Sequence, residues 1–222
     1  MRVDIVRLFI DSAERELVAP LLETGLFCGV TTNPTLLARA GLTVKQLPDF
    51  ATWAREAGAK TVFVQAWGET FQDYSSCAME LLARCGDIVV KVPATPAGIS
   101  AVRALESNGI RTLLTGVYNH TQVIPAILAG ATYLAPYLGR MNDAGRDGIG
   151  EITRMQEIIE ASQSNARILV ASIRSPHELA QLALVGIRDF TIAPALWHEL
   201  LVEPLTDAAV RVFDADTRTL MS

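Results

Sequence analysis

The sequence predicts an α/β protein: a single (β/α)8 barrel with one surplus helix at its C-terminal end. Three observations lead there. Eight short apolar runs recur at intervals of roughly 25 residues, the length of a strand, a helix and two turns. Each run is nearly continuous in Val, Ile, Leu and Ala rather than alternating, as strands buried on both faces of a parallel sheet read. The stretches between the runs carry apolar residues at helical spacing.

The first run is 5–10, and Ser12 is placed to cap a helix reaching Leu22, with Leu17, Leu21 and Leu22 on one face. The second is 27–31, followed by a helical pattern over 47–57 that carries Phe50, Trp53 and Ala54. The third, 61–66, leads to a stripe of Phe71, Ala78, Leu81 and Leu82 that stops at Gly86. Runs at 88–92, 112–115, 132–135 and 168–171 precede amphipathic segments at 97–107, 121–128, 150–161 and 176–184. Gly109, Gly130 and Gly186 are their C-terminal stops. The eighth run is 189–192, and the amphipathic segment 206–219 beyond it is surplus to the barrel, so it docks on its own domain or on a neighbour. Eight alternations favour closure. An open doubly wound sheet is the rival, because periodicity alone does not show closure. Nothing of low complexity divides residues 1–222, which read as one domain.

Composition narrows the function. Half of the 222 residues are hydrophobic and 19% are charged, a globular balance. A net charge of −5 argues against nonspecific binding to nucleic acid or a membrane surface. Cys28, Cys77 and Cys85 lack metal-ligand spacing and read as free thiols in a reducing compartment. No signal-peptide core follows Met1 and no run reaches ~18 apolar residues, so a soluble cytoplasmic protein is expected. No glycine-rich nucleotide fingerprint follows a strand, and His120, His177 and His198 lack the spacing of a metal site. Neither a cofactor nor a metal is expected.

In such a barrel, chemistry belongs at the carboxyl ends of the strands. Lys91 stands there in the otherwise apolar run Ile88-Val89-Val90-Lys91-Val92-Pro93. The chain holds only three lysines among 19 basic residues, and Lys45 and Lys60 fall in helix or turn contexts. A guanidinium cannot deprotonate, whereas a desolvated amine loses its proton readily and attacks carbonyls to form an imine. Asp11 ends the first strand, Thr31 and Asn33 the second, Gln65 the third and Thr115 the fifth. Tyr137 and Arg140 follow the sixth, Ser172 and Arg174 the seventh. Singly, each has an ordinary structural explanation, such as Asp11 or Asn33 capping the next helix. A ring of polar groups around one lysine is harder to explain so.

Imine chemistry assigns the roles. Lys91 attacks C2 of a ketose, and the protonated imine is the electron sink for cleavage between C3 and C4. Asp11 and Tyr137 are the available proton carriers. Gln65 and Thr115 can hold a water. Arg140, Ser172 and Arg174 form an anion clamp suited to phosphate. Arg146, in the Gly-rich loop 142–150, is assigned to a mobile loop.

The segments Thr-Thr-Asn-Pro-Thr at 31–35, Val-Val-Lys-Val-Pro at 89–93, Ala-Pro-Tyr-Leu-Gly-Arg at 135–140 and Ala-Ser-Ile-Arg at 171–174 resemble those of the small transaldolase-like proteins. That group comprises fructose-6-phosphate aldolases and short transaldolases, and the similarity runs essentially end to end. The resemblance implies a TIM barrel, a class I mechanism without metal, and Lys91 as the Schiff-base residue. It carries the catalytic aspartate to Asp11, the active-site asparagine to Asn33 and the phosphate set to Arg140, Ser172 and Arg174. It also implies a homo-oligomer, a decamer of two pentameric rings, with the C-terminal helix packed on an adjacent subunit. Gln65 and Tyr137 match the aldolases, where transaldolases carry Glu and Phe. Leu138-Gly139-Arg140 and Ser172-Ile173-Arg174 look more like short transaldolases, and Trp67 is larger than expected beside Gln65. The main expectation is reversible cleavage of fructose 6-phosphate to dihydroxyacetone and glyceraldehyde 3-phosphate. Transfer of the dihydroxyacetone unit between sugar phosphates is the alternative, and a non-catalytic phosphosugar-binding barrel the third.

Overall fold

The computed structural model of this chain describes residues 6–221, and eight parallel strands close into a barrel in sequential order. The strands are β1 (Arg7–Asp11), β2 (Phe27–Thr31), β3 (Thr61–Gln65), β4 (Val89–Pro93), β5 (Thr112–Val117), β6 (Tyr133–Pro136), β7 (Arg167–Val170) and β8 (Asp189–Ile192). Pairing of β1 with β8 seals the ring and removes the open-sheet rival. The expectation at Ile5 lies outside the described residues.

The middles of the strands are largely apolar because both faces are covered. Outward residues such as Val30, Val62, Val64, Val90, Leu114, Leu134 and Phe190 are fully buried beneath the helices. Inward residues Phe9, Phe63, Val89, Leu113, Tyr133 and Leu169 fill the barrel. The Phe63 ring makes edge contacts with Phe9 and Tyr133 at 5.4 Å each, which leaves no bore through the middle. At the amino-terminal mouth the buried Asp189 accepts from Arg7 at 2.5 Å and from Arg167 at 2.7 Å, closing the lower end with a paired charge. Gly29 lies where β2 crosses closely over β3. A Cβ there would fall 1.9 Å from the Thr61 carbonyl oxygen, so only glycine fits.

The outer layer comprises α1 (Arg15–Glu23), α2 (Pro34–Arg39), α3 (Leu47–Glu56), α4 (Phe71–Cys85), α5 (Pro96–Ser107), α6 (Val123–Ala129), α7 (Leu138–Asp143), α8 (Gly148–Ala161), α9 (Pro176–Leu184), α10 (Pro194–Glu199) and α11 (Pro204–Leu220). Ser12 does not cap α1. The helix starts at Arg15 after Glu14, and the Ser12 hydroxyl accepts from the Glu14 amide at 3.1 Å in a local turn instead. The expected helix at 121–128 begins with a 3-10 turn, His120–Gln122, capped by Asn119, and becomes α-helical only from Val123. Three helices were not expected. Each of α2, α7 and α10 has six residues, too short to show a periodic stripe. Cys28 is half-buried, Cys77 and Cys85 are buried, and all three are free thiols. No described helix is long and apolar enough to cross a membrane.

The last helix differs from the rest. No residue of α11 is buried, and Leu205, Val210, Val212 and Phe213 are all exposed.

Candidate active site

The polar residues of the strand ends meet in one pocket at the carboxyl-terminal mouth, and strand register is what brings them together. Asp11 pairs with Thr31 across β1 and β2, and Gln65 with Lys91 across β3 and β4. Residues opposite one another in a parallel pair share a face, here the inner one. The pocket is lined by Asp11, Thr31, Asn33, Lys91, Tyr137, Arg140 and Ser172, over an apolar floor that includes Leu113 and Leu169. A contiguous lobe, sharing Asn33, Tyr137 and Arg140, adds Gln65 and Thr115.

Lys91 is 4% exposed, and its Nζ donates to the Thr32 carbonyl oxygen at 2.6 Å. Thr32 is itself fixed, since its amide and hydroxyl both donate to the Phe63 carbonyl, at 3.1 and 2.9 Å. The amine's partner is therefore a rigid neutral dipole and not a carboxylate. Burial pulls the Lys91 pKa from 10.5 down to about 8, against the opposing pull of the Asp11 charge. About a tenth of the amine is then uncharged at pH 7, far more than an exposed lysine offers.

Asp11 is held by a hydroxyl relay. Thr31 Oγ1 donates to Asp11 Oδ1 at 2.7 Å and lies 2.6 Å from Thr191 Oγ1, so Thr191 supplies the proton of that second bond. Burial raises the Asp11 pKa, while Lys91 and the Thr31 hydroxyl oppose the rise. A carboxylate so placed takes up a proton more willingly than one in water, as a general base must. Tyr137 OH lies 2.7 Å from Thr115 Oγ1, and burial raises its pKa, so the phenol stays protonated at neutral pH. The Arg140 guanidinium stacks over the Tyr137 ring at 4.9 Å, and the Tyr118 ring meets Tyr137 edge-on at 5.7 Å. The phenol's position is fixed on both sides.

Asn33 does two things. Its Oδ1 accepts from the Leu36 amide at 3.0 Å, capping α2, while the residue also lines the pocket. Ser172 reaches the pocket from a left-handed backbone, φ +60°, in the turn after β7. The β6 and β7 turns press together there. A Cβ at Gly139 would lie 2.6 Å from the Ser172 carbonyl oxygen, so this contact requires glycine. Arg174 is not among the lining residues. Its guanidinium forms a two-pronged pair with Asp143, and both side chains are more than half exposed. Trp67 does not line either lobe; its backbone N–H donates to Cys77 Sγ at 3.5 Å and its ring is partly exposed. Arg146 NH1 donates to the Tyr118 carbonyl at 3.0 Å, which ties the 142–150 loop to the site's outer wall.

Sequence reasoning missed Thr191, Thr35, Leu36 and Arg39, all of which line the pocket. For Thr191 the signal was present: Asp189-Phe190-Thr191-Ile192 alternates polar with apolar, which points its polar members to one face. For the other three, the helix that carries them had to be known first.

Comparison with known proteins gives a family. A profile described as Transaldolase/Fructose-6-phosphate aldolase matches residues 8–222. A protein of Agathobacter rectalis named as a probable transaldolase is 33% identical over 97% of this chain and 99% of its own length. Another so named, from Exiguobacterium sibiricum, is 35% identical over 95% of this chain and 97% of its own length. Among solved structures, a thiamine phosphate pyrophosphorylase from Pyrococcus furiosus superimposes with a TM-score of 0.58 at 16% identity, over 85% of each chain, a likeness of fold alone. With a family profile that matches residues 8–222 and relatives matched over nearly their full length, the chain belongs to the transaldolase/fructose-6-phosphate aldolase family and is an aldolase or transaldolase enzyme.

Proposed function

We propose that this enzyme is a class I aldolase that reversibly cleaves fructose 6-phosphate to dihydroxyacetone and glyceraldehyde 3-phosphate. The observation that carries this reading is the buried Lys91 amine facing a pocket with Asp11 on one side and the Tyr137–Thr115 pair on the other. Lys91 Nζ bonds to C2 of the ketose, and the C2 oxygen leaves as water. Asp11 takes the C4 hydroxyl proton, the C3–C4 bond breaks, and its electrons move into the iminium to give an enamine. Glyceraldehyde 3-phosphate departs and C3 is protonated. Water then attacks C2, and dihydroxyacetone leaves the regenerated amine. Gln65, Thr115 and Tyr137 hold that water, and the phenol passes its protons. Arg140 and Ser172 receive the phosphate.

The choice between aldolase and transaldolase lies in the last step. A water-holding phenol favours hydrolysis and release of dihydroxyacetone. The names of the relatives favour transfer of the enamine to an acceptor aldehyde. Fructose 6-phosphate supplied alone is expected to yield glyceraldehyde 3-phosphate continuously in a coupled assay, and Tyr137→Phe to slow that release by roughly 10–100-fold. Product appearing only after an acceptor aldehyde is added would reject the aldolase reading in favour of transfer.

The exposed apolar side of α11 supports a proposed assembly. An amphipathic helix with its apolar side in water gains little from propensity and needs a surface to cover it. A neighbouring copy of the barrel is that surface in this proposal, giving a homo-oligomer such as the ring-based decamer. Phe213→Asp is expected to lower the mass measured by light scattering, and an unchanged mass would count against α11 as the contact.

A further inference from the structure

Two threonines flank the strand that carries Asp11. Thr31 stands on β2 and Thr191 on β8, the neighbours of β1 on either side. Thr191 pairs with Phe9, one inward step before Asp11, and Asp11 itself pairs with Thr31. The two hydroxyls meet across the inner face of β1 with their Oγ1 atoms 2.6 Å apart, and neither residue is more than 3% exposed.

The proton count fixes the direction of these bonds, since a hydroxyl carries one proton. Thr31 spends its own on Asp11 Oδ1 at 2.7 Å, so the proton between the threonines comes from Thr191. Each bond polarises the next. Among the described residues no hydrogen bond reaches Asp11 Oδ2, and Asp11 lines the pocket beside Lys91. One carboxylate oxygen is engaged and the other is available. Packing alone does not call for the Thr191 hydroxyl. Its neighbours on β8, Phe190 and Ile192, are buried and apolar, and the pocket floor includes Leu113 and Leu169. Valine has nearly the same shape, suits a strand and has no polar atom to desolvate.

We infer that Thr191 is a positioning residue for the cleavage step, its hydroxyl fixing the Thr31 proton on Asp11 so that the second carboxylate oxygen takes the C4 proton. This rests on the reading that Asp11 is the base of that step. Without Thr191 the Thr31 hydroxyl is free to turn away. The carboxylate then loses a bond that opposes the effect of its burial, and it takes up a proton at higher pH. The base form is lost first on the acid side. The other groups whose charge acts on Asp11 are Lys91 on β4, Arg140 on α7 and Arg39 on α2, with the Tyr137 phenol facing it after β6, and all four stay in place in the variants below. The rival explanation is a buried hydroxyl that merely satisfies itself on the nearest oxygen, in which case its removal leaves Asp11 unchanged.

The test is carboxyl carbon NMR of the full-length protein labelled with carbon-13 aspartate, titrated with acid, the Asp11 signal being the one missing from Asp11→Asn. Thr191→Val is expected to move the Asp11 midpoint to higher pH and Thr191→Ser to keep it near wild type. Thr191→Cys, a weak donor, should fall between them and carries the test if the valine variant does not fold. In parallel, kcat for fructose 6-phosphate cleavage should drop about tenfold in Thr191→Val near pH 6 and less than about threefold near pH 8. An unmoved or lowered midpoint overturns the inference, as does an equal loss of kcat at both pH values, which is the mark of a merely structural role. Borohydride trapping of dihydroxyacetone on the wild type is run beside it. A failure to trap removes the imine reading, while the carboxyl titration still decides whether Thr191 acts on Asp11.

Discussion

Lys91→Met is expected to abolish turnover, with kcat falling by about 10⁴-fold or more, roughly 5–6 kcal/mol of barrier. The size of the effect follows from chemistry that has no substitute in the pocket. Lys45 and Lys60 are exposed and not among the lining residues, so neither supplies a second amine for the imine. Methionine is chosen because it is unbranched, nearly the same length, and suited to an apolar site. The fold should survive. The Thr32 carbonyl loses one donor, a cost of about 1 kcal/mol, and removal of a buried ionisable group offsets part of it. Steady-state kinetics together with a melting curve separate the two effects. A variant that keeps more than about a hundredth of wild-type kcat would mean that Lys91 is not the nucleophile.

Asp11→Asn should move two observables in opposite directions. Cleavage is expected to fall by about 10²–10³-fold, because an amide cannot take the C4 hydroxyl proton. The Thr31 hydroxyl keeps an oxygen to donate to, so the local geometry holds. Imine formation behaves differently. The Asp11 charge raises the Lys91 pKa toward the ammonium form, and burial lowers it to about 8. Removing that charge lets the pKa fall further, so more of the amine is neutral at pH 7. In the wild type, kcat/KM should therefore rise with pH up to about 8. In Asp11→Asn the rate of borohydride-trapped adduct formation should rise at lower pH, even though cleavage is nearly lost. A trapping profile shifted to higher pH would show that Asp11 does not act on Lys91 as described.

The barrel and the residues that meet in its candidate site were legible in the chain, for a physical reason. A lysine inside an apolar strand is costly unless a pocket receives it, so Lys91 marks itself. Strand register then carries Gln65, Thr31 and Asp11 to the same face without further information. What was not legible depends on pairings distant in sequence. Asp143 and Arg174 sit on separate elements, and only the packing of α7 against the β7 turn reveals that Arg174 is engaged. Arg39 was hidden for another reason. It belongs to a six-residue helix that starts with Pro34 after the Asn33 cap, and too few turns remain for a pattern. The start of α1 illustrates a third limit: Ser12 has the right chemistry for a cap, but the chain turns once more before helix begins.

The most direct measurement is reductive trapping with dihydroxyacetone and borohydride, followed by peptide mapping of the modified protein. A single adduct on the peptide carrying Lys91, forming faster as pH approaches about 8 and absent from Lys91→Met, is the predicted result. An unmodified Lys91, or an adduct carried by Lys45 or Lys60 instead, would contradict the account.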